Sequence, residues 1–437
     1  MGAEPRHFGV LPFTGSGHLN PLIALGLELR SRGHRITFFE KPKIASRVCK
    51  SGLEFCPIGT RESSFKHKTP SADSASLFSE LRTLRFNLQR IAYDLDLYFR
   101  ETERALRIAG VDALIVNEIA VTGPTIAELL GLPYFILSTS VPHNFGWNCH
   151  RPFAGYRYRR SLISYVERAL LEVSSVKMRG PIRRLVNRYR AKRGLGPVDD
   201  LPRSHMPLAQ ITQLPECLDF WRGCLPENFH YTGPFAMQGG RQEIDFPWEQ
   251  LDGRPLIYAS MGTTRNAQAR VLHMIAEACR TIDAQLVVSL GGRFDQEKLG
   301  RLAGNPLVFN FVPQLEILKR ASLVITHAGP NTVFETLMEG KPMVAIPIAH
   351  DQPAIAARIA RLGTSEVLPI MHLSSEKIAR AVEKTLKSPS YREAALKIQR
   401  TLRSLNGVQR AADIIEQSLD SRGANRLSVR SEALVSA

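Results

Sequence analysis

Residues 326–335 read THAGPNTVFE and join the apolar run Leu323–Thr326 to the helical pattern of Thr332–Glu339. A polar turn that leaves a buried strand and opens a helix is the junction of a βα unit. Strand-like runs also occur before this segment, at Leu256–Ser260, and after it, at Met343–Ile346. The segment therefore predicts an α/β domain built on a parallel sheet.

The first half of the chain shows the same alternation. Strands are predicted at His7–Phe13, Arg35–Phe39, Asp112–Val116 and Tyr134–Leu137, and helices at Pro21–Arg32 and Val121–Leu130. Gly33 and Gly131 follow these helices and are typical stops. Residues from about 140 to 230 are basic and irregular, and we expect them to shape a site rather than to build the sheet.

A chain of 437 residues fits two domains better than one core. We predict an α/β fold with two Rossmann-like parallel-sheet domains. Their predicted bounds are 1–235 and 256–420, with a linker at 236–255 and a polar tail at 421–437. Because ligands bind at the carboxyl ends of parallel strands, the site is expected in the cleft between the domains.

Cysteine usage and hydropathy bear on the cellular compartment. The six cysteines occur singly, and the apolar run Phe8–Phe13 is too short for a signal peptide. We find no run of about 18 apolar residues that would predict a membrane-spanning helix. These features favour a reduced cytoplasm, and we expect a monomer.

The net charge of +16 is unevenly spread, because residues 151–193 hold thirteen Lys and Arg against Glu167 and Glu172. One interpretation is a solvated helical face. Another is attraction to an anionic membrane surface, since apolar and aromatic residues interleave with the basic ones. Nucleic-acid binding is not predicted, because no recognition motif accompanies the charge.

The start of the helix after Thr326 is suited to a diphosphate, since free N–H groups and a partial positive charge meet there. His327, the Gly329 amide, Asn331 and Thr332 surround this helix start. Glu335 lies one turn further on, where its carboxylate could accept hydrogen bonds from both hydroxyl groups of a ribose.

Two neighbouring segments complete a candidate nucleotide-sugar site. Asp351 and Gln352 follow a buried strand and offer acceptors and donors to vicinal sugar hydroxyls. Phe311 ends another strand and could stack a base, while the backbone at Val312 and Gln314 could read the base edge.

Residues 14–21 read TGSGHLNP and join the first strand to the first helix. This turn, which contains Gly17, resembles a dinucleotide-binding fingerprint. The pattern fails because Asn20 stands where the third glycine belongs. A nicotinamide or flavin cofactor is therefore not predicted.

Together these motifs resemble family 1 of the glycosyltransferases, the UDP-glycosyltransferases. The segment from His327 to Gln352 is similar to the donor signature of that family. The loop Ser260-Met261-Gly262-Thr263 resembles its second phosphate loop. The resemblance implies a GT-B fold, an N-terminal acceptor-binding domain and a C-terminal domain that binds a UDP-sugar. It assigns phosphate contacts to His327, Gly329, Asn331 and Thr332, the ribose to Glu335, and the sugar to Asp351 and Gln352.

The likeness extends to a subgroup, the bacterial zeaxanthin glucosyltransferase type, through residues 207–214, 259–263 and 411–417. It implies transfer of glucose to a hydroxylated carotenoid. A polyketide, macrolide or other hydrophobic acceptor remains an alternative, as does a different hexose. A sugar epimerase or a wall-synthesis transferase of the same fold is disfavoured, because these lack the combined motifs.

The Gly-His-Leu-Asn-Pro start is similar to the acceptor-side motif of the family, which makes His18 the general base. Family members usually place an Asp behind this histidine, where Asn117 stands here. We expect Asn117 to orient His18, with Glu118 as the alternative partner. The loss of the carboxylate also leaves open a catalytically weak nucleotide-sugar-binding protein.

Asp94 and Asp96 mimic a metal-binding Asp-x-Asp motif, but they lie in the helical pattern Leu84–Leu106, where residues two apart diverge. We expect both on a solvated face. No His/Cys spacing typical of a metal site occurs elsewhere, so the predicted chemistry uses no metal.

Overall fold

We describe a computed structural model of the chain that covers residues 4–59, 77–142, 180–199, 206–222, 225–235, 244–262, 267–292 and 299–435. Its strands form two sheets, and every pairing between neighbouring strands of the described residues is parallel. The predicted α/β class with two parallel sheets is confirmed.

The first sheet has seven strands in the order β3-β2-β1-β4-β5-β6-β7. These are β1 His7–Leu11, β2 Arg35–Glu40, β3 Glu54–Pro57, β4 Ala113–Asn117, β5 Tyr134–Ser138, β6 Ala209–Thr212 and β7 Phe229–Tyr231. Strands β1, β4 and β5 are neighbours, so their carboxyl ends lie side by side at one edge.

The second sheet has six strands in the order β10-β9-β8-β11-β12-β13. These are β8 Leu256–Ser260, β9 Gln285–Ser289, β10 Leu307–Phe309, β11 Ala321–Thr326, β12 Met343–Ala345 and β13 Ser365–Val367. The signature segment 326–335 leaves the carboxyl end of β11 near the middle of this sheet.

Helices cover the faces of both sheets. They are α1 Ser16–Ser31, α2 Ala45–Lys50, α3 Leu77–Ala109, α4 Gly123–Leu130, α5 at 180–192, α6 Ala267–Cys279, α7 Gln314–Arg320, α8 Pro330–Met338, α9 Gln352–Arg361, α10 Ser375–Lys387, α11 Pro389–Arg403 and α12 Gly407–Val435. No helix within these described ranges is long and apolar enough to cross a membrane.

The central strands are buried on both faces, which explains their continuous apolar runs. Phe8 and Val10 pack into one core with α1, while Leu11 and Leu114 pack into a second core on the other side of the sheet. Gly9 is needed in β1, because a Cβ there would lie 2.9 Å from Cδ2 of Leu114.

Three sequence-based expectations need correction. Helix α1 begins at Ser16 rather than at Pro21, so the proline lies inside the helix. Residues 140–230 do build the sheet in part, since they contribute β6 and β7. Strands of three or four residues carry little periodic signal, which is why the sequence did not predict them.

The third difference concerns the C-terminus. Helix α12 packs against α1 and places Ala411, Ala412 and Ile415 in the core of the first sheet. Its backbone stays helical through the predicted polar tail as far as Val435. The chain thus returns to the first unit after completing the second, which no local pattern could predict. The domain bounds stay a prediction.

A buried ion pair ties the two units together. Asp219, which lies between β6 and β7, accepts hydrogen bonds from Arg358 of α9, with Nη2 at 2.6 Å, and from Arg222. Burial alone would raise the pKa of Asp219, but the guanidinium groups of Arg222 and Arg358 outweigh it and lower this pKa. Its lowered pKa favours the charged carboxylate, and the pair links α9 of the second unit to the segment between β6 and β7 of the first.

Candidate functional site

The predicted base lies where three parallel strands end. His18 is in the first turn of α1, just after β1, and its Nδ1 is 2.5 Å from Oγ1 of Thr139. Thr139 directly follows β5. The Phe13 ring meets the imidazole edge-on, with 5.2 Å between ring centroids. The imidazole is half-buried, with one nitrogen held by a hydroxyl group.

Asn117 does not contact His18 in the way that we predicted. Its Oδ1 accepts a hydrogen bond of 3.1 Å from the Ile119 backbone, and its Nδ2 donates to Thr139 Oγ1 at 3.3 Å. Among the residues that the structure describes, Asn117 thus reaches His18 through Thr139. The alternative partner, Glu118, accepts a hydrogen bond from Gln210.

Two residues of this region were missed from the sequence, Thr139 and Gln213. Both are buried polar residues that directly follow strands, β5 and β6, at the edge that carries His18. That position is itself the signal, because polar side chains at the carboxyl ends of parallel strands face the ligand side.

On the second sheet, His327 is held by backbone rather than by a side chain. Its ring lies between two glycines: a Cβ would be 2.6 Å from Nε2 at Gly262 and 2.5 Å from it at Gly329. Nδ1 lies 3.4 Å from the Ser260 carbonyl oxygen. Only glycine fits on either side of this ring.

Burial lowers the pKa of His327 below its ordinary value, against smaller opposing effects of the Ser260 carbonyl and the Asp351 carboxylate. Burial therefore favours the neutral form of this imidazole. With Nδ1–H directed at Ser260, the lone pair on Nε2 faces the gap between the glycines.

Asn331, at the start of α8, joins the two predicted sites. Its Nδ2 donates a hydrogen bond of 3.0 Å to the carbonyl of Gly17, and its Oδ1 accepts one of 2.9 Å from Gln213. In α1 the carbonyl of Gly17 would pair with the N–H four residues later, but Pro21 has none. Asn331 supplies the missing donor, directly beside His18.

The predicted ribose residue is positioned by a chain of side chains. Gln314 donates to Glu335 Oε2 at 2.6 Å and accepts from the Tyr258 hydroxyl at 3.0 Å. The prediction that the Gln314 backbone reads the base edge stays a prediction, and its side chain holds the Glu335 carboxylate.

The predicted sugar residues differ from each other in the structure. Asp351 is half-buried and accepts a hydrogen bond from Ser140 of the first unit. Gln352 is buried, and its Oε1 accepts from the backbone of Ile348 at 2.8 Å and of Ala349 at 3.0 Å. Its oxygen is thus occupied, which corrects the expectation that it offers an acceptor; only the amide N–H groups suit a ligand.

Phe311 is 56% exposed and its ring covers Gly292, where a Cβ would lie only 1.8 Å from Cζ. Val312 is buried in the core. Thr332 is half-buried on the first turn of α8. Thr263 lies outside the described residues, as does most of the basic stretch 151–193.

The Asp-x-Asp pair lies on α3, within the helix as predicted. Asp94 pairs with Lys41 at 2.7 Å, and Asp96 pairs with Arg100 at 3.1 Å. In the part of the chain that the structure describes, no three His, Cys, Asp or Glu residues are grouped as metal ligands.

Comparison with known proteins agrees with this architecture. Residues 217–435 match the family described as UDP-glucoronosyl and UDP-glucosyl transferase, and residues 14–142 match the glycosyltransferase family 28 N-terminal domain. The zeaxanthin glucosyltransferase of Pantoea ananas is 29% identical, over 94% of this chain and 95% of its own. The demethyllactenocin mycarosyltransferase of Streptomyces fradiae is 26% identical, over 94% of this chain and 85% of its own.

Among solved structures, the glycosyltransferase of kitacinnamycin superposes with a TM-score of 0.72 at 25% identity and covers 95% of this chain and 99% of its own. Its fold is the GT-B arrangement that the resemblance implied. The chain therefore belongs to the UDP-glucoronosyl and UDP-glucosyl transferase family and is a glycosyltransferase of the GT-B fold.

Proposed function

We propose that the protein moves a hexose, with inversion, from a UDP-sugar to a hydroxyl group of a lipophilic small molecule. The observation that carries this proposal is the hydrogen bond of 3.0 Å from Asn331 to Gly17. This hydrogen bond places the N-terminus of α8, which suits a diphosphate, beside Gly17, the residue that precedes His18. Donor and base would therefore share one cleft.

In this reaction the acceptor oxygen attacks the anomeric carbon while the bond to the UDP oxygen breaks. His18 takes the hydroxyl proton as the new bond forms. UDP leaves with the bonding electron pair, and the N-terminus of α8 stabilises its growing negative charge. A single displacement of this kind inverts the anomeric configuration.

Several positions support a uridine nucleotide carrying glucose. The exposed ring of Phe311 offers a stacking surface for a base, and Glu335, held by Gln314, offers acceptors for the ribose. Asp351 presents a carboxylate toward the first unit, where sugar hydroxyls would lie.

For the acceptor we propose a hydroxylated carotenoid, on the strength of the zeaxanthin glucosyltransferase relative. The relative named as a mycarosyltransferase supports a second candidate, a macrolide. Both acceptors are large and apolar, so the chemistry required of His18 is the same.

The experiment is a matrix of purified protein with three donors (UDP-glucose, UDP-galactose and a dTDP-sugar) against zeaxanthin in detergent micelles and a macrolide aglycone. We expect UDP release and a glycoside of inverted configuration with UDP-glucose and zeaxanthin. The exposed His372→Ala variant is the control and should match the parent. Donor binding without release under every condition would instead support a nucleotide-sugar-binding protein.

We also propose that the protein works in the cytoplasm at an anionic membrane surface. Part of the basic stretch serves the fold, because Arg190 pairs with Glu128 and Arg193 with Glu103. Arg184 on α5 is exposed and suits lipid head groups. Binding to anionic vesicles that falls with salt is expected, and salt-independent or absent binding would contradict it.

A further inference from the structure

The hydroxyl group of Thr139 lies between Asn117 and His18, and its side chain is buried at 3% exposure. Among the described residues, the contacts of this hydroxyl are those two. The direction of its hydrogen bond with Nδ1 therefore corresponds to one tautomer of the neutral His18 imidazole.

The orientation of the Asn117 amide is fixed from the other side. Its Oδ1 accepts the backbone N–H of Ile119 at 3.1 Å, a local turn that asparagine often forms. The –NH2 group must then point to Thr139, at 3.3 Å, and it can only donate. An Asp at this position would present a second acceptor instead.

A threonine hydroxyl has one hydrogen and can accept twice. When Thr139 accepts from Asn117 and donates to Nδ1 of His18, all three of these groups are satisfied, and polarisation strengthens the two hydrogen bonds. We propose that Thr139 donates its hydroxyl hydrogen to Nδ1 of His18, so that the resting imidazole carries its proton on Nε2.

This inference rests on the proposed function, in which a neutral His18 takes a proton through the nitrogen that faces the acceptor. With Nδ1 bonded to Thr139, that nitrogen is Nε2, and its lone pair is missing in the resting form. Asn117 thus opposes catalysis through Thr139, as an asparagine behind a catalytic histidine does in serine hydrolases, where it selects the wrong tautomer. Thr139 and Asn117 are positioning residues.

The substitution Asn117→Asp should reverse the chain. One carboxylate oxygen keeps the Ile119 N–H, and the other accepts the Thr139 hydroxyl hydrogen. Thr139 is then left to accept Nδ1–H of His18. Nε2 would carry the lone pair that a base needs.

The direct test is nitrogen-15 NMR of histidine-labelled protein, at a pH about two units above the ordinary imidazole pKa of about 6.5. The His18 signals are identified by their loss in His18→Gln. We expect Nε2 protonated and Nδ1 unprotonated in the parent, with the reverse in Asn117→Asp. A parent with Nδ1 protonated overturns the proposal, as does an unchanged tautomer in Asn117→Asp.

Kinetics give the second test. Asn117→Asp should raise kcat by about tenfold or more and leave the donor KM within about twofold, because the barrier changes and donor binding does not. The gain should persist in a Thr139→Ser background and vanish in a Thr139→Val background. Asn305→Asp, an exposed position with the same change in charge, is the control and should have no effect.

The two readouts separate this inference from the function it rests on. If the expected tautomers are observed but no sugar is transferred to any acceptor, the proposed function is wrong. The proposed hydrogen-bond chain from Asn117 through Thr139 to His18 would still stand. If transfer depends on His18 but Asn117→Asp is no faster than the parent, the proposed hydrogen-bond chain is wrong. If Asn117→Asp fails to fold, the parent spectrum alone decides.

Discussion

Each sheet places a histidine just after a strand and at the start of a helix, yet the two imidazoles are held differently. His18 is held by a side chain, the Thr139 hydroxyl at 2.5 Å. His327 is held by backbone, between Gly262 and Gly329 and against the Ser260 carbonyl. A hydroxyl group can donate or accept, whereas a carbonyl can only accept.

The difference indicates two tasks. Backbone contacts hold His327 in place and burial favours its neutral form, which suits a residue that shapes a binding site. The hydroxyl group beside His18 can donate to Nδ1 or accept from it, so the contact can persist when the imidazole gains a proton, which suits a base. Substitutions on the two sides should therefore fail differently: loss of turnover near His18, and loss of donor binding near His327.

The largest effect is expected for His18→Ala. Removing a general base lowers kcat by about 10²–10⁴-fold, while UDP binding should stay within about twofold because the donor contacts remain. Steady-state kinetics together with calorimetric UDP titration measure both quantities. Equal turnover in the variant and the parent would remove His18 as the base.

The next effect concerns the junction between the two sides. Asn331→Asp keeps the acceptor for Gln213 but replaces the donor to Gly17 with a negative oxygen, beside the expected diphosphate. Two unfavourable polar contacts at about 1–3 kcal/mol each predict a loss in kcat/KM on the order of a hundredfold. The exposed Asn305→Asp serves again as the charge-matched control. Unchanged kcat/KM would mean that this junction opens before catalysis.

The donor side was predictable because its signal is local. His327, Asn331 and Glu335 lie within three helical turns of one strand end, so spacing alone places them together. The sequence could not show that Asn331 also reaches Gly17, since that contact depends on how the two units meet.

The base side was predicted less well, because it is assembled from strands far apart in the chain. Asn117 was expected behind His18 and lies at the end of β4, but only the sheet order brings Thr139 between it and His18. The predicted start of α1 at Pro21 was wrong for a related reason, because the helix begins at Ser16. A proline within the first turns of a helix is tolerated when another group pairs with the freed carbonyl, as Asn331 does here.

A smaller effect, on UDP binding, is expected for Gly262→Ala, because the added methyl group would clash with the His327 ring. The new Cβ would lie 2.6 Å from Nε2, and the backbone has φ +74. Displacing the ring at about 1–3 kcal/mol should weaken UDP binding about tenfold with little change in kcat. Gly194→Ala is a close match, with φ +73 and nothing within 4 Å of its Cβ. It should share the backbone strain but keep UDP affinity; equal loss in both variants would rule out the ring.

The smallest effect is a dependence of stability on pH. Because burial lowers the pKa of His327 in the folded chain, the unfolded chain binds a proton at higher pH than the folded chain does. Stability should therefore fall as pH drops below the unfolded value of about 6.5, by at most about 1.4 kcal/mol per pH unit. His7 and His230, whose pKa values burial also lowers, add to this slope in the parent.

The contribution of His327 is the difference in unfolding free energy between the parent and His327→Gln, measured by urea unfolding at several pH values. A flatter profile is expected for the variant, since glutamine takes up no proton. Parallel profiles would show that His327 accepts a proton as readily in the folded chain as in the unfolded one, and the contrast with His18 would lose its physical basis.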